Sequence, residues 1–128
     1  MESNDAKQLA KWYEDMLGIK MMPEGSENGG YHVFNTVDAE SGVTRENPVF
    51  AINQSKEPLP EKNRGFMFNF RVDHLDDFLI QLEAKGIQQE RELLQWERGK
   101  HAWIKDLDGN LIELFEELFP ETLDDADE

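Results

Sequence analysis

The sequence predicts an α+β domain made of two similar halves, each with one helix followed by strands. Two amphipathic stretches end in the same way, at Gly18-Ile19 and at Gly86-Ile87, and strand-like runs follow each of them. A run with period-2 alternation, GFMFNFRVD from Gly65, stands before the second amphipathic stretch. The first stretch has no such run before it. The halves therefore share one plan, in which the first half lacks an opening strand.

The first helix is predicted over residues 6–17. Apolar side chains recur there every three or four residues and form one helical face: Leu9, Trp12, Tyr13, Met16 and Leu17. Ser3, Asn4 and Asp5 are all good N-cap residues, and Gly18 provides the C-terminal stop. We expect Trp12 and Tyr13 to pack in the core.

Two segments of the first half have the amino-acid composition that is typical of β-strands. The runs YHVFNTV and PVFAINQ, residues 31–37 and 48–54, are rich in β-branched and aromatic residues. The intervening DAESGVTREN is typical of a loop. Residues 55–64, with two prolines and mixed charge, are interpreted as a connector between the halves.

The second half begins with the strand of residues 65–73. Its phenylalanines alternate with Met67, Asn69 and Arg71, and we expect the phenylalanines to face a helix-covered core. A helix is predicted from about Leu75 to Lys85 and a further strand near residues 87–94. The stretch GKHAWIKDLDGNLIELFEE predicts a hairpin with its turn at residues 106–110.

Composition limits the classes of partner. The formal net charge is −15, and such a field repels nucleic acid and anionic lipid, so we expect neither as a partner. The sequence has no cysteine, which leaves only His, Asp, Glu or water as metal ligands. No apolar leader or long apolar run is present, so we expect a cytoplasmic protein. The acidic residues 120–128 are interpreted as a solubilising tail.

Three segments together resemble the vicinal-oxygen-chelate superfamily, which includes glyoxalase I, bleomycin- and fosfomycin-resistance proteins and extradiol dioxygenases. They are AKWYEDMLGI, FNFRVDHLDDFLIQLEAKGI and AWIKDLDGNLIELFE, and the most specific element is the D-x-D-G-N turn followed by I-E-L. The resemblance implies two βαβββ modules whose curved antiparallel sheets form a cup. The implied domain spans residues 1–119, with module one at 1–54 and module two at 65–119.

The resemblance also implies a homodimer, because the cup in this family often forms between two chains. The missing opening strand leaves a sheet edge uncovered, and a partner chain would cover it. Either the strand is naturally absent or the sequence starts late.

Members of the superfamily often hold a divalent metal on the cup through His and Glu, which acts as a Lewis acid. Carried over by position, the carboxylate ligand of the last strand matches Glu113. The other ligand positions match Ala51 and Met67, and the His of the opening strand has no counterpart. A catalytic site generally needs about three protein ligands, so we expect no cofactor. The alternative is a divalent metal on Glu113 helped by His101 and water.

We expect a small-molecule ligand in the cup, contacted by residues of the second half: Met67, Asn69, Arg71, Trp96, Trp103 and Phe115. Trp96 fits either a lid over the cup or a contact with a partner chain. Glu113 fits a metal ligand, a substrate contact or an ion pair with Arg71. His101 fits an acid or base near neutral pH or a solvated strand residue.

Three hypotheses remain open from the sequence. The first is a metal-independent binder of small molecules, similar to the drug-sequestering members of the superfamily. The second is a divergent lyase, isomerase or dioxygenase that uses Glu113. The third is a degenerate module whose open edge associates with another polypeptide.

Overall fold

The computed structural model describes residues 1–23, 28–45, 49–60 and 65–118. Within these residues the chain forms two helices and nine short strands. It divides into two compact units, residues 1–61 and 62–128. The predicted acidic tail lies outside the described residues.

The first unit contains one helix and five strands. In chain order these are β1 (Glu2–Ser3), α1 (Ala6–Leu17), β2 (Gly30–Val33), β3 (Thr36–Val37), β4 (Thr44–Arg45) and β5 (Val49–Gln54). The strands β1, β5 and β2 form one sheet in that order, with β1 parallel to β5 and β2 antiparallel to it. A separate two-stranded hairpin consists of β3 and β4.

Helix α1 has the predicted bounds, and its ends have identifiable causes. The Asp5 side chain accepts a hydrogen bond from the Gln8 backbone N–H, so it caps the first turn. Gly18 ends the helix at φ 71°, a left-handed conformation that favours glycine. Leu9 and Tyr13 are fully buried, and the Tyr13 ring meets the ring of Phe50 on β5 edge to face at 5.1 Å. The predicted core role of Tyr13 is confirmed.

Two predictions for the first unit need correction. We predicted that the first half lacks an opening strand, but Glu2 and Ser3 pair in parallel with Asn53 and Gln54 of β5. The segment interpreted as a loop after residue 37 contains β4, which pairs back onto β3. Both strands have only two residues, too few for a periodic pattern to show.

The second unit contains one helix and four strands. They are β6 (Met67–Arg71), α2 (Leu75–Ala84), β7 (Leu94–Trp96), β8 (Gly99–Lys105) and β9 (Leu111–Glu117). The sheet has the order β6-β9-β8-β7, in which β6 is parallel to β9 and the other pairs are antiparallel. Both larger sheets are therefore mixed, whereas we expected antiparallel sheets. The helix after β6 crosses over the sheet, which allows β9 to return in the direction of β6.

One face of the four-stranded sheet is the core of the second unit. Alternate residues of β8 and β9 are buried there together with Leu75 and Leu82 of α2; they are Ala102, Ile104, Ile112 and Leu114. Phe68 and Phe70 of β6 are half-buried, in agreement with the predicted alternation. Phe66 is exposed, since it precedes the first paired residue of β6. The strand expected near residues 87–94 is shorter and later, at β7.

The start of α2 is capped from a distant strand. His74 is the N-cap residue, at φ 53°, and its side chain makes no capping hydrogen bond. The Leu75 backbone N–H instead donates to the carboxylate of Glu116 on β9, at 2.8 Å. This contact ties the helix to the sheet.

The D-x-D-G-N motif forms the turn between β8 and β9. One carboxylate oxygen of Asp106 accepts the backbone N–H groups of Asp108 and Asn110, and the other accepts the Asn110 side-chain amide. Gly109 has φ 83°, which the turn requires and glycine allows. The most specific motif of the sequence therefore has a structural role here.

No helix in the described part of the chain is both long enough and apolar enough to cross a membrane.

Candidate functional site

The side chains predicted to contact a ligand lie on one face of the four-stranded sheet. We call this the open face, the face opposite α2, and its residues are Met67, Asn69, Arg71, Trp96, His101, Trp103, Glu113 and Phe115. They share a face because their alternating neighbours on β8 and β9 are buried in the core. The sequence thus predicted which side chains are brought together.

Strand register arranges these side chains in rows across the sheet. Asn69, Glu113 and Trp103 form one row, because Glu113 pairs with each of the other two. Phe115 lies beside Arg71 on one strand and beside His101 on another, which makes the next row. A carboxylate, an amide and aromatic rings are therefore neighbours.

Glu113 lies near the middle of this face. Its carboxylate accepts a hydrogen bond from the side-chain amide of Asn69. The same oxygen lies 3.7 Å from Nδ1 of His101, and the two side chains are 15% and 20% exposed. The alternative that Glu113 pairs with Arg71 is wrong, because Arg71 instead pairs with Glu117 at 3.1 Å.

His101 is held between Glu113 and Trp96. The indole N–H of Trp96 donates to Nε2 of His101 at 2.9 Å. With Nε2 as acceptor, a neutral His101 carries its proton on Nδ1, toward Glu113. Gly99 provides the space for this bond, since a Cβ atom there would lie 3.1 Å from both nitrogens. Trp96 thus contacts the open face directly.

Four aromatic rings form a continuous patch on this face. The His101 ring is nearly parallel to those of Trp96, Trp103 and Phe115, with interplanar angles of 15–22° and centroids 5.9–6.4 Å apart. These separations are within the range of aromatic pair interactions. We call these four rings the ring patch. A cleft of about 470 Å³ beside it is lined by Trp96, Arg98, Gly99, His101, Phe115, Glu117 and Leu118.

The donor atoms on this face do not fit a mononuclear metal site. Glu113 accepts from Asn69, Nε2 of His101 accepts from Trp96, and Met67 offers only a thioether, which suits a hard cation poorly. In the ranges 1–23, 28–45, 49–60 and 65–118, no three His, Cys, Asp or Glu side chains are grouped to hold a metal. Glu113 and His101 supply two donors where about three are usual.

Sequence reasoning missed two contributors to this face. Gly99 allows the contact between Trp96 and His101, but a glycine at the first position of a strand has no distinctive sequence signal. Arg91 belongs to the run QQERE, residues 88–92, whose charged composition is typical of a solvated face. Its guanidinium carbon lies over the Trp103 ring, 5.4 Å from the centroid. Only the fold brings these two residues together, so no local pattern could have revealed the contact.

The two units define an α+β protein of the glyoxalase and bleomycin-resistance fold. A model of the glyoxalase-like domain matches residues 1–115, and the chain belongs to this family. The resemblance found in the sequence is thereby confirmed. Among curated protein sequences, none matches the chain.

Solved structures with low sequence identity share the fold. A protein from Bacillus anthracis, described as a glyoxalase family protein, has a TM-score of 0.65 at 17% identity, covering 91% of this chain and 89% of that one. TioX from Micromonospora sp. ML1 has a TM-score of 0.62 at 16% identity, covering 92% and 94%. An integron cassette protein from the mobile metagenome of V. cholerae has a TM-score of 0.61 at 18% identity, covering 91% and 89%. At these identities the likeness concerns the fold alone.

Proposed function

We propose that this protein binds a planar aromatic small molecule on the open face, without a standard metal site. The observation that carries this proposal is the ring patch of Trp96, His101, Trp103 and Phe115 beside a cleft. Proteins with the glyoxalase-like fold commonly bind small molecules, which supports the same choice. Function in the cytoplasm is part of the proposal, and the cysteine-free sequence agrees with it.

The chemistry of the face favours a ligand with both a flat ring and polar edges. Aromatic pairs in offset or edge contact contribute about 0.5–1.5 kcal/mol beyond the apolar area they bury. Glu113 and Asn69 lie in the row beside the rings, where they can accept from or donate to the edge of a ligand. Ring stacking would supply affinity, and the polar pair would orient the ligand.

The test is binding of 2-naphthamide, a neutral planar probe, measured by calorimetry and by tryptophan fluorescence. We expect Phe115→Leu to weaken binding about tenfold, because losing a stacking partner costs about 1.4 kcal/mol at the upper end of the aromatic range. Trp103→Ala should weaken it at least as much. The matched control is Ile80→Ala, which truncates an exposed apolar residue of α2.

Thermal melting of each variant checks that the fold is retained. Equal affinity of the wild type, Phe115→Leu and Trp103→Ala would contradict a site on the ring patch. Absence of binding by the wild type at millimolar probe would contradict the proposal as a whole.

A divergent metal-dependent enzyme, of the lyase, isomerase or dioxygenase kind, is the second candidate. The observation in its favour is the carboxylate of Glu113 close to His101, at 3.7 Å, which supplies two donors. The test is metal content by mass spectrometry of wild type and Glu113→Gln after exposure to nickel, zinc, manganese and iron(II). Equal, substoichiometric metal in both proteins is expected for the binder. Near-stoichiometric metal that is lost in Glu113→Gln would favour the enzyme.

We also propose that the protein acts as a homodimer. Among the described strands of the second unit, β6 and β7 are the two edges of the sheet, and Leu94 and Trp96 on β7 are exposed. An unpaired sheet edge is a template for pairing with another chain, and exposed apolar side chains beside it favour such a contact. Sedimentation equilibrium at micromolar concentration should give twice the chain mass, and a monomer there would contradict the proposal.

A further inference from the structure

Two hydrogen-bond donors beside the ring patch have no acceptor in the described part of the chain. Trp103 is only 9% exposed, and its indole Nε1 is buried without a hydrogen-bond partner there. Arg91 is exposed, and its guanidinium lies over the ring of the same tryptophan. Within the described residues, no ion pair with a carboxylate is found for Arg91.

Two carboxylates close to these donors are engaged by other groups. Acidic residues number 28 against 13 basic ones in the whole sequence. The adjacent Glu90 pairs with Lys105 at 3.1 Å. Glu113 accepts from Asn69 and faces His101. Glu90 and Glu113 therefore do not serve as acceptors for Arg91 or Trp103, and a buried indole N–H without a partner costs free energy.

We propose that Arg91 and the indole N–H of Trp103 form a subsite for an oxyanion, so that the ligand is a planar aromatic acid. This inference rests on the proposed function, since it names the class of ligand that the ring patch would take. A guanidinium binds a carboxylate through two parallel N–H groups, and an indole N–H is a donor only. Both groups therefore require a hydrogen-bond acceptor on the ligand, and the positive charge of the guanidinium favours an anionic acceptor.

The backbone around Arg91 holds this residue at the edge of the sheet. The Glu90 N–H donates to the carbonyl of Trp103 at 2.7 Å, and the Glu90 side chain is anchored by Lys105. Among the described residues, the guanidinium lies over the face of the Trp103 ring and forms no ion pair. The guanidinium can therefore turn toward an acidic group on a ligand that stacks on the other rings of the ring patch, and the indole N–H of Trp103 stays available to the same acidic group.

The test compares 2-naphthoate with 2-naphthamide, which have the same ring and nearly the same shape. Wild type should bind naphthoate about tenfold more tightly at low salt, and the preference should shrink as ionic strength rises. Arg91→Gln should abolish the preference, so that the variant binds naphthoate and naphthamide with equal affinity. Trp103→Phe keeps a ring but removes the indole donor, and should weaken naphthoate several-fold more than naphthamide.

The charge control is Lys85→Gln, which removes one positive charge at the end of α2 and should leave the preference intact. If Arg91→Gln keeps the preference, or if the wild type binds both probes equally, the oxyanion subsite is overturned and aromatic binding stands. If the wild type binds neither probe, both the subsite and the proposed function are overturned. Melting temperatures of all variants identify any that fail to fold.

Discussion

The two units place different side chains at matching positions of the same sheet plan. In each unit the first strand runs parallel to the last, with Glu2 opposite Asn53 in one and Arg71 opposite Phe115 in the other. The residue two positions before Asn53 is Ala51, whereas the residue two positions before Phe115 is Glu113. The second unit thus has a carboxylate and an aromatic ring where the first has a methyl group and an amide. A shared backbone plan does not require shared chemistry.

The side chains on the buried faces of the two sheets are more alike than the side chains at the positions just compared. Ile52 on β5 and Leu114 on β9 follow Ala51 and Glu113 directly, and both are fully buried. Each also lies opposite a small residue of the neighbouring strand, Gly30 in the first unit and Ala102 in the second. The comparison therefore predicts similar core energetics and unequal surface chemistry.

The largest effect is expected from truncating these two core side chains. Ile52→Ala and Leu114→Ala should each lower the free energy of unfolding by about 2–5 kcal/mol, through lost apolar burial and the cavity left behind. Urea unfolding followed by circular dichroism measures both. A loss below about 1 kcal/mol in one variant would show that the two cores are not equivalent. Ile80→Ala, at an exposed position of α2, is the control and should be nearly neutral.

A smaller effect is expected where the units differ in how they cap their helices. In α1, the side chain of Asp5 accepts a hydrogen bond from the backbone N–H of Gln8, three residues later. In α2, the backbone N–H of Leu75 instead donates to Glu116, which is far away in the sequence. Glu116→Ala should lower the free energy of unfolding by about 1 kcal/mol, as should Asp5→Ala. Glu116→Gln keeps an acceptor oxygen and should recover most of that loss. Equal destabilisation by the Ala and Gln variants would mean that charge, and not the hydrogen bond, stabilises α2.

The contrast between a local cap on α1 and a distant cap on α2 also shows which parts of the fold the sequence could predict. The α1 cap was expected because a good N-cap residue stands just before a periodic apolar stretch, and the β8–β9 turn because its signals are local. The cap from Glu116 depends on a contact between two distant segments. The strands β1 and β4 are only two residues long, and their pairing partners decide their conformation. Local patterns therefore predicted elements better than they predicted the contacts between elements.

In the candidate site, too, local patterns predicted more than the contacts between distant segments could. Alternation along β6, β8 and β9 was enough to predict which side chains of these three strands share a face, since a period of two is a local property. The partner of Glu113 was not settled by that alternation, because Asn69 and Arg71 lie on the same face and only strand register selects between them. Arg91 could not be predicted at all, since its contact with Trp103 depends on how the segment before β7 passes the sheet.

The smallest effect on stability is expected at Asp38, in the exposed turn between β3 and β4 of the first unit. Its counterpart in the second unit is the buried Asp106. Asp38 accepts the backbone N–H groups of Ser41 and Glu40 at 3.0 and 2.9 Å, and these hydrogen bonds lower the pKa of its carboxyl. Asp106 makes similar contacts in the β8–β9 turn but is almost fully buried. Asp38→Ala should therefore destabilise less than Asp106→Ala, for which a loss of about 1–3 kcal/mol is expected.

The pH dependence of the Asp38 effect has a definite sign. Because its pKa is lower in the folded protein than in the unfolded chain, the carboxylate stabilises the fold above its ordinary value of 3.8. That contribution is lost as the pH falls through the lower, folded value. Melting temperatures of wild type and Asp38→Ala should differ slightly at pH 6 and converge in the acid range below about pH 4. A difference that stays constant or grows on acidification would show that the carboxylate of Asp38 is not the source of the effect.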